Sequence, residues 1–173
     1  MDKDLGLPKP LFEKLKKIRM LILDVDGVLT DGRIWWIEGT GWTRSFHVKD
    51  GYGLKLLMNA GIDIAFVSGG DSKSVRERAK FLGVKHVYLG DENKIVALDK
   101  IMKDTGLDYE QLAYIGDELF DIPVLKAVGF SATVPHAVTE VKEVVHYVTQ
   151  EAAGLGAVRE VSDFIRKATS VRP

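Results

Sequence analysis

Apolar residues recur along this chain in two rhythms, and the rhythms alternate. Behind Pro8 and Pro10, Leu11, Phe12, Leu15 and Ile18 fall at helical spacing and predict a first helix. Residues 19–25 then form an apolar run of the kind that makes a strand buried on both faces. Residues 33–37 alternate, 38–41 make a turn, and 42–48 return, so a β-hairpin is predicted over 33–48 with all three tryptophans on it. Ile34 and Trp36 face one way and Trp35 and Ile37 the other, which leaves both hairpin faces partly apolar. From Gly51 the period becomes helical, with Leu54, Leu56, Leu57 and Ala60 on a helix that Gly61 ends. Further strands are predicted at 62–67, 86–89, 112–115, 130–134 and near 147–148. The helices between them run over 72–82, from about 94 to 105, from Pro123, through Val141, and finally over 158–167.

Strands alternating with helices predict an α/β fold, a doubly wound (Rossmann-like) parallel sheet from which the hairpin projects. Only the hairpin and one helix separate Gly27 from the next strand, so no cap domain is expected. The expectation is a single domain over 1–173 with a C-terminal tail from 149. Lys and Arg number 24 against 25 Asp and Glu, so no basic field points to nucleic acid or a membrane surface. Cysteine is absent, which removes disulfides, thiolate catalysis and Cys-based zinc sites. Residues 1–8 lack the apolar core of a signal peptide, and no apolar run is long enough to span a bilayer. A soluble cytoplasmic protein is expected.

In such sheets ligands bind beyond the carboxyl ends of the strands. The polar loops 24–31, 68–71, 90–94 and 116–121 all lie at strand carboxyl ends, so the fold gathers Asp24, Asp26, Ser68, Lys94, Asp117 and Asp121 at one rim. On a strand, Asp24 and Asp26 would point to the same side, and two such carboxylates call for a cation or proton between them. Carboxylate oxygens without His or Cys suit Mg²⁺, which keeps waters and shares a phosphate. A carboxylate can act as nucleophile on phosphorus, a second can carry the proton, Ser68 can donate to a phosphate oxygen, and Lys94 can balance charge. Asp121 is also placed to cap the helix that Pro123 opens, and Asp31 and Asp50 stand beside glycines as turn residues do. The four histidines are scattered and read as structural or surface residues.

Asp24-Val25-Asp26-Gly27-Val28-Leu29-Thr30-Asp31-Gly32, Ser68, Lys94 and Gly116-Asp117-Glu118-Leu119-Phe120-Asp121 resemble the four ordered motifs of the haloacid dehalogenase-like phosphatases. The resemblance narrows to the capless subfamily acting on 3-deoxy-D-manno-octulosonate 8-phosphate. Residues 46–53, with Lys49 and Asp50, and 154–160, with Arg159, resemble that subfamily too. It implies Asp24 as nucleophile, Asp26 as acid/base, and Mg²⁺ held by the Asp24 carboxylate, the Asp26 backbone carbonyl and Asp117. It implies a phosphorylated sugar-acid substrate met by Ser68, Gly69, Lys49, Asp50 and Arg159. A homotetramer built through the hairpin and a place in lipopolysaccharide precursor synthesis are implied as well.

Two positions depart from that pattern. The subfamily usually has Thr-Gly-Arg where this chain has Ser68-Gly69-Gly70, and Lys73 or Arg76 one turn on are the candidates to replace the missing base. Ala153 and Leu155 stand where a glycine and often an arginine occur. With no cap domain, the tail is expected to complete the site of a neighbouring subunit, Gly154 and Gly156 allowing close approach. Another sugar-acid phosphate, such as a nonulosonate 9-phosphate, is the alternative substrate. A receiver-type signalling domain and a catalytically idle phosphatase-like module are the rival classes.

Overall fold

Six parallel strands make the centre of the computed structural model, which describes residues 6–169. The first five residues of the leader and the last four of the tail lie outside that range. In chain order come α1 (Lys9–Lys17), β1 (Met20–Leu23), the hairpin strands β2 (Trp35–Ile37) and β3 (Gly41–Thr43), α2 (Val48–Asn59), β4 (Asp63–Ser68) and α3 (Lys73–Leu82). They are followed by β5 (His86–Leu89), α4 (Lys94–Thr105), β6 (Leu112–Ile115), α5 (Ile122–Ala127), β7 (Phe130–Thr133), α6 (Thr139–Lys142), β8 (Tyr147–Val148) and α7 (Ala157–Ala168). The sheet order is β5-β4-β1-β6-β7-β8, with β2 and β3 forming a separate antiparallel pair.

β1 is buried along its whole length because both of its faces are covered. Leu21 and Leu23 pack with Leu54, Leu57, Val75, Val158 and Ile165 on one side of the sheet. Met20 and Ile22, pointing the other way, pack with Leu98, Ile101, Val124 and Leu125. β1 stops at Leu23, earlier than the apolar run suggests. Asp24 stays extended and donates its N–H to Ile115, and residues Val25–Leu29 then wind into one wide turn closed by Thr30 N–H on Val25 O at 3.0 Å. Asp24 and Asp26 are therefore not alternate residues of one strand, and their carboxylates take different neighbours.

The hairpin is shorter than its pattern and α2 starts sooner. β3 ends at Thr43, and α2 begins at Val48 with Asp50 in its first turn and two glycines inside it. Those glycines look like helix breakers in sequence, yet they serve packing. A Cβ on Gly53 would lie 2.9 Å from Arg159 Cδ, and one on Gly51 would run into the Arg78 guanidinium, 3.0 Å from Leu82 Cδ2. α2 thus lies close against α3 and α7. The tail is part of the core rather than an appendage, since α7 buries Val158, Val161 and Ile165 completely. Among the described residues no helix is long and apolar enough to cross a membrane.

Candidate active site

The carboxyl ends of β1, β4 and β6, with the start of α4, converge on one cluster. Lys94, the first residue of α4, is buried with its Nζ 2.7 Å from Asp24 Oδ1 and 2.6 Å from Asp121 Oδ1. Its ammonium also lies 4.4 Å from the centre of the Phe120 ring. Asp121 has its whole hydrogen-bonding capacity engaged. Oδ1 accepts a further bond from Tyr114 Oη at 2.5 Å, and Oδ2 accepts the N–H groups of Asp117 and Glu118, each at 3.0 Å. It does not cap α5 with its side chain, since its bonds run back into the loop that carries Asp117. Buried ions persist only when paired and hydrogen-bonded, and the Lys94–Asp121–Tyr114 chain meets that demand.

Asp24, Asp117 and Asp121 each bring an oxygen within 4.8 Å of the others. Burial pushes the Asp24 carboxyl up to about 6, against the pull of Lys94. Asp117 rises to about 8, through burial first and the charges of Asp24 and Asp121 next. Asp117 Oδ1 is buried with no hydrogen-bond partner among the described residues. Gly27, at φ +87°, has no Cβ, and a Cβ there would overlap the Asp117 carboxylate. An orphaned carboxylate oxygen beside two other acids, in a space kept open by glycine, fits a hard divalent cation such as Mg²⁺.

Across from Lys94, Ser68 is buried at the end of β4 and its Oγ accepts Gly70 N–H at 3.2 Å, which leaves the hydroxyl proton to donate. Gly69 passes close to Glu92, whose Cγ would lie 2.9 Å from a Cβ at that position. The Asp26 carboxylate turns away from the other three. It is gripped by one edge of the Arg44 guanidinium, with Nε donating to Oδ1 and Nη2 to Oδ2, the latter at 2.7 Å. Sequence reasoning missed Arg44, which reads as one more polar position of a hairpin strand.

Four candidates lie elsewhere. Arg76 spends its fork on Asp71 at 2.8 and 2.5 Å on the exposed face of α3. Lys49 and Arg159 line a different cavity of about 540 Å³ with Tyr147, Glu151 and Glu160. Arg159 is paired there with Asp163 at 2.8 Å and lies over the Tyr52 ring. Asp50 is fully buried beneath α7, where Oδ1 accepts Arg159 N–H at 2.7 Å, and burial raises its pKa. The tail reaches the carboxylate cluster of its own chain: a cavity of about 490 Å³ is lined by Gly27, Asp31, Arg33, Asp117, His136 and Leu155.

This geometry has known counterparts. A family model described as haloacid dehalogenase-like hydrolase matches residues 86–161. The 3-deoxy-D-manno-octulosonate 8-phosphate phosphatase KdsC of Haemophilus influenzae is 44% identical over 156 residues, which is 90% of this chain and 87% of that protein. The crystal structure of the phosphatase of the same name from Yersinia pestis superposes with a TM-score of 0.94 at 38% identity, covering 99% of this chain and 93% of that one. A third, from Moraxella catarrhalis, was solved in complex with a magnesium ion, a phosphate ion and a KDO molecule. It gives a TM-score of 0.90 at 38% identity, with 92% of each chain covered.

Proposed function

The chain belongs to the 3-deoxy-D-manno-octulosonate 8-phosphate phosphatase family of the haloacid dehalogenase-like hydrolases, and from that premise we propose how its own residues perform the family's reaction. The protein is a Mg²⁺-dependent phosphomonoesterase that converts 3-deoxy-D-manno-octulosonate 8-phosphate to 3-deoxy-D-manno-octulosonate and phosphate. The observation that carries this reading is the buried Lys94 bridging Asp24 and Asp121 beside the orphaned oxygen of Asp117.

Asp24 is the nucleophile. Its carboxylate attacks phosphorus, the bond from phosphorus to the sugar oxygen breaks, and that oxygen takes a proton from Asp26. Asp26 then removes a proton from water, the oxygen of that water attacks the aspartyl phosphate, and the bond to Asp24 breaks. Lys94 keeps Asp24 ionised and aimed, while Ser68 and the backbone at Gly69 receive the phosphoryl oxygens. The carboxylates of Asp24 and Asp117 with the Asp26 carbonyl would hold Mg²⁺, which supplies positive charge against the phosphoryl oxygens. Asp121 is left to orient Lys94, since it has no free lone pair for a metal. The protein works in the cytoplasm, in lipopolysaccharide precursor synthesis, as a homotetramer joined through its tryptophan hairpin.

The test is phosphate release from a set of phosphorylated sugar acids with Mg²⁺ and with a chelator. The octulosonate 8-phosphate should be the best substrate and the chelator should abolish its turnover. Faster turnover of a nonulosonate 9-phosphate would move the substrate assignment and leave the chemistry standing.

A further inference from the structure

The Arg44 fork on Asp26 has no part in the reaction as written above. Arg44 follows β3, on the arm by which the hairpin rejoins the sheet domain, and its side chain is only 7% exposed. Its three nitrogens are all engaged: Nε and Nη2 hold the two Asp26 oxygens, and Nη1 donates to Ser72 Oγ at 2.8 Å. Ser72 is the N-cap of α3, where its hydroxyl also receives Val75 N–H. A rigid helix start thus fixes the guanidinium, and the guanidinium fixes the carboxylate. Gly70 lies against the pair. A Cβ there would lie 3.4 Å from Arg44 Nη2 and 3.5 Å from Asp26 Oδ2, in ordinary contact with both members of the pair. Arg76 does not supply this cation, for it is tied to Asp71.

A planar bidentate pair holds a carboxylate in one orientation, which a single point charge cannot do. Asp26 needs that, because its φ, ψ of −78°, 117° and the adjoining Gly27 place it in an irregular turn with one-third of its side chain exposed. A proton donor misplaced by even an ångström loses much of its effect. We propose that Arg44 is a positioning residue for the leaving-group side of the reaction, orienting the Asp26 carboxylate toward the oxygen of the departing sugar. This rests on the acid/base role given to Asp26 above.

The readout is leaving-group dependence. An alkoxide leaving from a sugar phosphate needs a proton in the transition state, whereas p-nitrophenolate departs without one. Arg44→Ala should lower kcat/KM, which reports phosphoryl transfer to Asp24 and not the later hydrolysis both substrates share, about tenfold or more further for octulosonate 8-phosphate than for p-nitrophenyl phosphate. A retained kcat/KM on p-nitrophenyl phosphate reports an intact fold and phosphate site. Arg44→Lys, which keeps charge but not the fork, should recover only part of the selective loss. Asp26→Asn is the control and should show the same selectivity in kcat/KM, while kcat falls on both substrates because Asp26 also activates the water of the step they share. If it does while Arg44→Ala lowers kcat/KM equally on both substrates, as loss of a phosphate ligand would, the positioning role is overturned alone. If Asp26→Asn itself shows no selectivity in kcat/KM, its role as acid falls and the proposal with it.

Discussion

At the scale of single residues the site is an electrostatic arrangement that has meaning only with a cation in it. Asp24 and Asp117 take up protons more readily in the folded chain than in the unfolded one, where both start from 3.8. Raised acids favour the folded state at low pH, and that contribution is lost as pH rises from about 4 through 6 for Asp24 and through 8 for Asp117. A metal must displace those same protons. The melting temperature of the metal-free protein should therefore fall between pH 5 and pH 8, and the gain on adding Mg²⁺ should be larger at pH 8 than at pH 6. Thermal melts at the two pH values check this, and Asp117→Asn should remove the difference. In the chemistry itself, Asp24→Asn should abolish turnover with the fold intact by circular dichroism. Asp26→Asn should slow it by about 10²–10⁴. Asp24, Asp117 and Lys94 were legible because each is a charged residue ending or following an apolar strand. Arg44 was not, since no local pattern marks a hairpin residue whose partner lies eighteen positions back. Tyr114 was hidden in the same way: inside an apolar strand it reads as core, and its role shows only in the hydroxyl it gives to Asp121.

At the scale of elements, the alternation of periods was enough to order the six-stranded sheet's parts, because a strand covered on both faces has few ways to be anything else. The boundaries that slipped did so where glycine or aspartate serves a tertiary contact. The start of α2 is one such case and the end of β1 another. Gly154 makes a tertiary contact too, within a loop that keeps its expected place, standing at φ +63° with its N–H on Val28 O at 3.1 Å. A Cβ there would lie 2.7 Å from Thr30 C, so the tail rests directly on the turn that follows Asp24. Gly154→Ala should cost about 1–2 kcal/mol for the left-handed backbone alone, more for the collision, and should lower kcat as the turn shifts; urea melts and steady-state kinetics measure the two. Cutting the chain after Gln150 is a harsher matter. It removes Val158, Val161 and Ile165, all fully buried, worth about 1.5–3 kcal/mol each. That loss rivals the about 5–15 kcal/mol by which a domain is stable at all. Truncation should leave no cooperative thermal transition and no turnover of either p-nitrophenyl phosphate or a sugar-acid phosphate.

At the scale of the whole molecule, the strand carboxyl ends make one rim, and the hairpin stands beside that rim through Arg44. Among the described residues the hairpin's large apolar side chains stay open to solvent. Trp35, Trp36 and Trp42 are 45%, 63% and 51% exposed, with Ile34 and Ile37 similarly open. Trp36 and Trp42 oppose each other across the two strands and pack edge-on with centroids 5.3 Å apart. Trp35 lies on the other face, opposite Thr43. Contiguous aromatic area of this kind costs solubility in a monomer and is characteristic of interface cores. A two-stranded hairpin of three-residue strands is also marginal in water without something packed on it. Both burdens are lifted if subunits meet through the hairpins, as in the tetramer proposed above. Trp36→Glu would place a charge in the middle of that contact, where an unpaired ion is costly to desolvate. Sedimentation at micromolar concentration should give an assembly for the wild type and smaller species for the variant. Turnover should fall with it, because Arg44 sits on the arm that the assembled hairpin steadies. A wild-type protein sedimenting as a monomer would remove the tetramer and leave the hairpin's tryptophans without an explanation.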